Sequence, residues 1–166
     1  MDVWLLRHAK AHDHAPSGRD EDRELTSRGR ARAEAVARGL AVLSPDIEIV
    51  LTSPFPRARQ TAEPCARALG LDPPREFRAL LPGMDPSRVA KELAREGWES
   101  ALLVGHQPLL GSLIGFLVFG DEGREIPLRK ASIAHVSWHP GSSGHLEALF
   151  PPEALERLGS SKPESV

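Results

Sequence analysis

The sequence predicts an α/β layered domain with a largely parallel sheet and a terminal hairpin. Two observations carry this. Short apolar runs alternate with segments of helical periodicity as far as about residue 118, and two further apolar runs then flank a glycine-containing turn. The size agrees: 166 residues, 40% of them hydrophobic, suffice for one core. Residues 1–158 are assigned to that single domain and 159–166, Ser-rich with Pro163, to a frayed tail.

In chain order, residues 3–7 form an apolar run that reads as a strand buried on both faces. Residues 9–24 are polar and charged, with Pro16 and Gly18, and form a long loop of the kind that is functional or disordered. Thr26 is a suitable N-cap for a helix to about Leu43, with Ala33, Val36 and Leu40 at helical spacing, and Pro45 stops it. Residues 47–52 read as a second buried strand. Ser53-Pro54 opens a helix through Leu69 that ends at Gly70, with Pro64 expected to kink or split it. Residues 77–81 are a weak strand pattern. Asp85-Pro86 starts a helix that turns Val89 and Leu93 inward and ends at Gly97. Residues 101–104 form another strand leading into Gly105-His106, and Pro108 begins an apolar helix to about Val118. Residues 133–138 and 145–150 are strands around the turn at 141–144, and the tail from Pro151 is helical through Leu158.

Composition narrows the function. A net charge of −2 and a pI near 6.4 argue against a nucleic-acid binder. The lone Cys65 forms neither a disulfide framework nor a cysteine zinc site, and on a helix between Pro64 and Ala66, with no His nearby in sequence to activate it, it reads as packing. The first residues, with Asp2 immediately after Met1, lack the pattern of a signal peptide, and the longest apolar run, 109–119, falls short of the ~20 residues of a spanning helix. The expectation is a cytoplasmic protein with no membrane partner. The pair His12 and His14 beside Asp13 has metal-ligand residue types, but no further ligand follows at a recognisable spacing. His135 and His139 share a strand face and read as surface or hairpin residues. Residues 20–22, all acidic, read as a solvated loop face.

Chemistry concentrates at the strand exits, where parallel sheets bind ligands. The first strand delivers Arg7-His8. The second delivers Thr52-Ser53-Pro54 and then Arg57, and the strand at 101–104 delivers Gly105-His106. Two arginines and two histidines at one sheet edge make a cationic pocket with no carboxylate. Guanidinium forks match the oxygens of a phosphoryl group, and the N-termini of the two following helices add partial positive charge.

These residues carry a family resemblance. Leu5-Leu6-Arg7-His8-Ala9, residues 53–61 (Ser-Pro-Phe-Pro-Arg-Ala-Arg-Gln-Thr) and Gly105-His106 resemble, in order and spacing, the signature segments of the histidine phosphatase superfamily, and Leu25-Thr26-x-x-Gly29 resembles a structural segment between them. Arg-His-Ala-Lys and residues 130–134 (Lys-Ala-Ser-Ile-Ala) look most like its small bacterial phosphohistidine phosphatase branch. The resemblance implies the phosphoglycerate-mutase-like fold: three α/β/α layers, with a central, mostly parallel sheet and helices on both faces.

It also implies a mechanism. His8 is the nucleophile, forming a phosphohistidine enzyme intermediate that water hydrolyses, with the second ring nitrogen donating to a backbone carbonyl. Arg7, Arg57 and a protonated His106 hold the phosphoryl oxygens, and no metal or other cofactor is required. His14 and Lys10 are further candidate substrate contacts. Mutases and alkyl-phosphate phosphatases of the superfamily place an acid after the Ser-x-x-x-Arg segment. Residues 77–86 contain no Glu, and Asp85 reads first as a helix cap and only second as that acid. Without an acid, an imidazole leaves far more readily than an alkoxide. The expected substrate is therefore phosphohistidine on a protein. A phosphatase for small phosphate esters is the alternative, and an inactive phosphate-binding module a third reading.

Overall fold

The first apolar run becomes an interior strand of a six-stranded sheet. In the computed structural model, which describes residues 1–43, 45–121 and 123–160, β1 (Asp2–Arg7) lies between β4 (Ser100–Gly105), parallel to it, and β5 (Ile133–Ser137), antiparallel. Beyond β4 come β2 (Ile49–Thr52) and the two-residue β3 (Arg75–Glu76), both parallel, and beyond β5 the antiparallel β6 (His145–Phe150). The order is β3-β2-β4-β1-β5-β6. β1 is apolar throughout its middle because both faces are covered: Val3 and Leu5 enter one core layer, Trp4 and Leu6 the other.

Helices α1 (Ser27–Leu43), α2 (Pro56–Leu69) and α5 (Pro152–Ser160) pack on the Trp4 and Leu6 side. Helices α3 (Pro86–Glu96) and α4 (Leu109–Phe119) pack on the Val3 and Leu5 side. This is the expected three-layer α/β/α arrangement. β1 leads to α1 on one face and its neighbour β4 leads to α4 on the other. The chain therefore leaves these two adjacent parallel strands in opposite directions, which opens a crevice at their carboxyl ends.

Local expectations fail where packing overrides propensity. Pro64 does not split α2, which stays one helix; Pro64 is buried, and Ala58, Ala62, Cys65 and Ala66 bury around it on the core face. An interior proline costs about 3 kcal/mol or more, and that buried face offsets it. The pattern at 77–81 is not a strand. β3 lies just before it, and residues 78–80 form a 3₁₀ turn that buries Phe77, Ala79 and Leu80. α2 begins at Pro56, behind an extended Phe55, rather than at Pro54. α5 runs to Ser160, two residues past the expected end, and residues 161–166 of the expected tail lie outside the described residues. His135 is half-buried: its ring stacks on Trp4 at 4.1 Å and its Nε2 lies 2.7 Å from Asp2 Oδ1. Among the described residues, no helix is long and apolar enough to cross a membrane.

One contact near the crevice explains the Leu-Thr-x-x-Gly segment. The Thr26 hydroxyl accepts from Gly29 N at 2.9 Å, and Lys10 O accepts from Thr26 N at 2.9 Å. A Cβ on Gly29 would lie 2.0 Å from Lys10 O, so the loop leaving His8 rests directly on the first turn of α1. Gly→Ala in an open helix gains up to about 1 kcal/mol. Here backbone meets backbone, the sign reverses, and Gly29→Ala is expected to lose about 2 kcal/mol. Urea denaturation of the two proteins checks this, and a more stable variant would contradict the contact.

Candidate active site

Register brings the strand exits together. β1 pairs with β4 so that Arg7 lies opposite Gly105, and His8 N extends the ladder to Gly105 O at 3.0 Å. The next residues are then neighbours: the rings of His8 and His106 are 5.1 Å apart between centroids. On the other side of β4, Ser53 N donates to Val104 O at 3.0 Å, and Ser53 Oγ lies 2.8 Å from His106 Nε2. Phe55 meets the His106 ring edge-on at 5.4 Å and lies under the Arg57 guanidinium at 5.0 Å.

Arg57, in the first turn of α2, is 4% exposed, and Arg7 Nη1 donates to Leu128 O at 2.8 Å. The rest of the 53–61 segment ties these parts together. Thr61 Oγ1 donates to Arg57 O at 2.7 Å and accepts from Ala9 N at 3.1 Å, while Gln60 Oε1 accepts from Leu25 N at 2.8 Å. One helical turn thereby locks both ends of the 9–25 loop to the Arg57 helix.

The two histidines are electrostatically distinct from ordinary imidazoles. His8 Nδ1 lies 2.7 Å from Ala9 O, which makes Nδ1 the N–H donor and leaves Nε2 as the basic nitrogen. Burial pushes His8 down to about 4, with the positive charges of Arg57, Arg7 and Lys130 adding to it and the Ala9 hydrogen bond opposing. Burial likewise pushes His106 down to about 3, with His8, Arg57 and Arg7 adding to it. Without an anion, burial dominates and holds the His106 ring neutral at pH 7; the protonated His106 expected from the sequence is the ring with a phosphoryl group bound.

The pocket also differs from the expected all-cation cradle. Asp20 sits on Arg57, its Oδ2 2.8 Å from Nη2 and its backbone O 2.7 Å from Nη1. Residues 20–22 form an exposed 3₁₀ turn, as solvated as expected, but Asp20 also belongs to the site. The remaining candidates stand further out. Lys10 and His14 are exposed; His14 faces a surface cleft with His12, Asp22 and Glu24. Asp85 caps α3, its Oδ1 accepting from Ser87 N and Oγ at 2.7 Å each. Cys65 is buried and its thiol is pushed up to about 12, chiefly by burial, as suits packing.

Sequence reasoning missed Asp20, Ser53 as the partner of His106, and Lys130 as a neighbour of His8. Lys130 stands next to Ala131, which adopts a left-handed backbone at φ 62° and donates its N–H to Arg7 O at 3.0 Å. Non-glycine residues in that conformation cluster at functional sites, and the apolar pattern of residues 133–138 gives no hint of it.

Three buried nitrogens at these strand exits have no protein partner among the described residues: Arg7 Nε, Arg57 Nε and His106 Nδ1. A buried polar nitrogen left unpaired costs about 1–3 kcal/mol, so three beside His8 mark a place suited to an anion with several oxygens.

Comparison with known proteins agrees with this geometry. The model of the histidine phosphatase superfamily (branch 1) matches residues 3–80. The phosphohistidine phosphatase SixA of Escherichia coli strain K12 is 35% identical over 128 residues, covering 73% of this chain and 76% of the relative. The SixA homolog of Haemophilus influenzae is 28% identical over 155 residues, 86% and 92% of the two chains. A solved structure of the protein histidine phosphatase SixA complexed with tungstate superposes with a TM-score of 0.84 at 31% identity, over 93% of this chain and 99% of that one. On this evidence the chain belongs to the histidine phosphatase superfamily, with bacterial SixA proteins among its relatives.

Proposed function

We propose that the protein is a phosphohistidine phosphatase that works through a covalent phosphohistidine on His8. The observation that carries this is the set of three unpartnered buried nitrogens, Arg7 Nε, Arg57 Nε and His106 Nδ1, beside the His8 imidazole held in one tautomer. The tetrahedral oxyanion named with the SixA structure is the kind of group such a cradle suits.

Chemically, His8 Nε2 attacks phosphorus in line while the bond from phosphorus to the substrate nitrogen breaks. The departing imidazole nitrogen keeps that electron pair and takes a proton from solvent. Water then attacks phospho-His8, the N–P bond returns its pair to Nε2, and the water proton leaves with phosphate or solvent. Arg7 and Arg57 hold the equatorial oxygens, where negative charge is spread, and supply the positive charge that a metal ion supplies in kinases. An approaching dianion favours protonation of His106, which converts it into a charged donor through Nδ1. Ser53 Oγ at its Nε2 keeps the ring aimed.

The leaving group selects the substrate. Asp85 is engaged as a helix cap, and Asp20 is held below the usual carboxylate range, first by the Arg23 hydrogen bond and then by Arg57. Neither is poised to protonate an alkoxide. General acid catalysis is worth about 10²–10⁴ in rate, so phosphohistidine on a protein should exceed an alkyl phosphate such as 3-phosphoglycerate by about that factor. Initial rates on both, measured in EDTA, test the proposal. Comparable turnover of the alkyl ester would favour a small-ester phosphatase, and loss of activity restored by a divalent metal would contradict the arginine cradle. Tight phosphate binding with no turnover of either would indicate a binding module.

A further inference from the structure

We propose that Asp20 is the positioning residue of Arg57: it grips the outer fork of the guanidinium, turns its side-on Nε edge toward the phosphoryl group, and weakens the hold on the departing phosphate. This rests on the phosphatase reading of the same site.

The geometry is specific. Arg57 offers two ways to bind an oxyanion: end-on through Nη1 and Nη2, or side-on through Nε and one Nη. The end-on fork is occupied, Nη1 by Asp20 O at 2.7 Å and Nη2 by Asp20 Oδ2 at 2.8 Å. Nε is buried and has no partner. The edge left for a ligand is therefore the side-on one.

Asp20 is itself braced. Its Oδ1 takes Arg23 Nη1 at 2.6 Å, its backbone O takes Arg23 N at 3.2 Å, and Arg23 Nε donates to His12 O at 2.6 Å. The loop between His12 and Arg23 thus closes over Arg57 as a rigid bracket, although it contains little regular structure.

The grip has an electrostatic consequence. Asp20 places a negative charge beside groups that must bind a dianion, release it, and bind the next. Side-chain exposure of 61% screens that charge without abolishing it. Removing it strengthens phosphate binding, while loss of the bracket disorders the guanidinium and slows chemistry. Affinity and turnover therefore move in opposite directions, which a mere packing role would not produce.

Asp20→Asn and Asp20→Ala test this. Both sit on an exposed side chain, and thermal melts check that they fold. We expect kcat to fall about 10–100-fold in each. Inorganic phosphate should bind about threefold to tenfold tighter, read as product inhibition and by calorimetry. In ¹⁵N spectra of the arginine side chains, the Arg57 Nε–H of the wild type should shift on phosphate addition, and that shift should shrink in the variants. Unchanged kcat, or kcat and phosphate affinity falling together, overturns the role of Asp20 while leaving the site reading intact. No Nε response and no turnover in the wild type overturns both.

Discussion

His8→Ala is expected to lower turnover of phosphohistidine by at least about 10⁴-fold and to leave no radiolabelled phosphate on the protein. The size of the effect follows from the order of events. A cradle without its nucleophile still binds and polarises phosphate, but the first bond to phosphorus is never made. The variant should fold, because His8 is a neutral imidazole whose ring hydrogen-bonds the neighbouring Ala9 carbonyl, and its removal deletes no buried charge. Quenched reactions of wild type and variant with labelled substrate, digested and mapped, place the phosphate. Label on His106, or activity within tenfold of wild type, would overturn the assignment of the nucleophile.

The parts of the site that were legible in the sequence are those that the sheet places. Arg7-His8 and Gly105-His106 end two apolar runs, and parallel pairing of Arg7 with Gly105 leaves little freedom in where the next residues go. Arg57 follows the exit of β2, in the first turn of α2. The sheet order itself, with β4 inserted between β1 and β2, is not written in any local pattern. The rest depends on contacts without periodicity. Asp20 lies 37 residues from Arg57, in a solvated acidic triplet whose 3₁₀ turn brings one carboxylate onto the guanidinium, a contact that no local pattern announces. Burial sets the state of the His106 ring before an anion arrives, and that burial is not visible in a run of neighbouring cations. Pro64 and the turn at 78–80 fail for a common reason: propensity and pattern describe a helix or strand alone, and both segments are fixed by what they bury.

The anion-free protein is expected to lose stability as the pH falls from about 7 to 4.5, and sulfate is expected to reverse the loss. His8 and His106 titrate near 6.5 when unfolded but at about 4 and about 3 when folded. Between those limits the unfolded chain holds more protons, so stability rises with pH. It is complete above 6.5 and erodes as the pH drops toward the folded values. Two buried rings displaced this far amount to a few kcal/mol across the window. Other displaced groups act lower: Asp20 and Asp22 start from 3.8 and Glu153 from 4.5, all shifted downward, so their contributions fade only below that range. Sulfate, a dianion throughout, inverts the electrostatics by favouring protonated rings, so its affinity should climb as the pH falls, with protons taken up on binding. Urea titrations at several pH values, with and without sulfate, measure both effects. The slope should flatten in His8→Ala and His106→Ala, each of which removes one of the two depressed groups. A slope unchanged in both variants, or sulfate binding indifferent to pH, would mean that these rings are not held neutral by the fold.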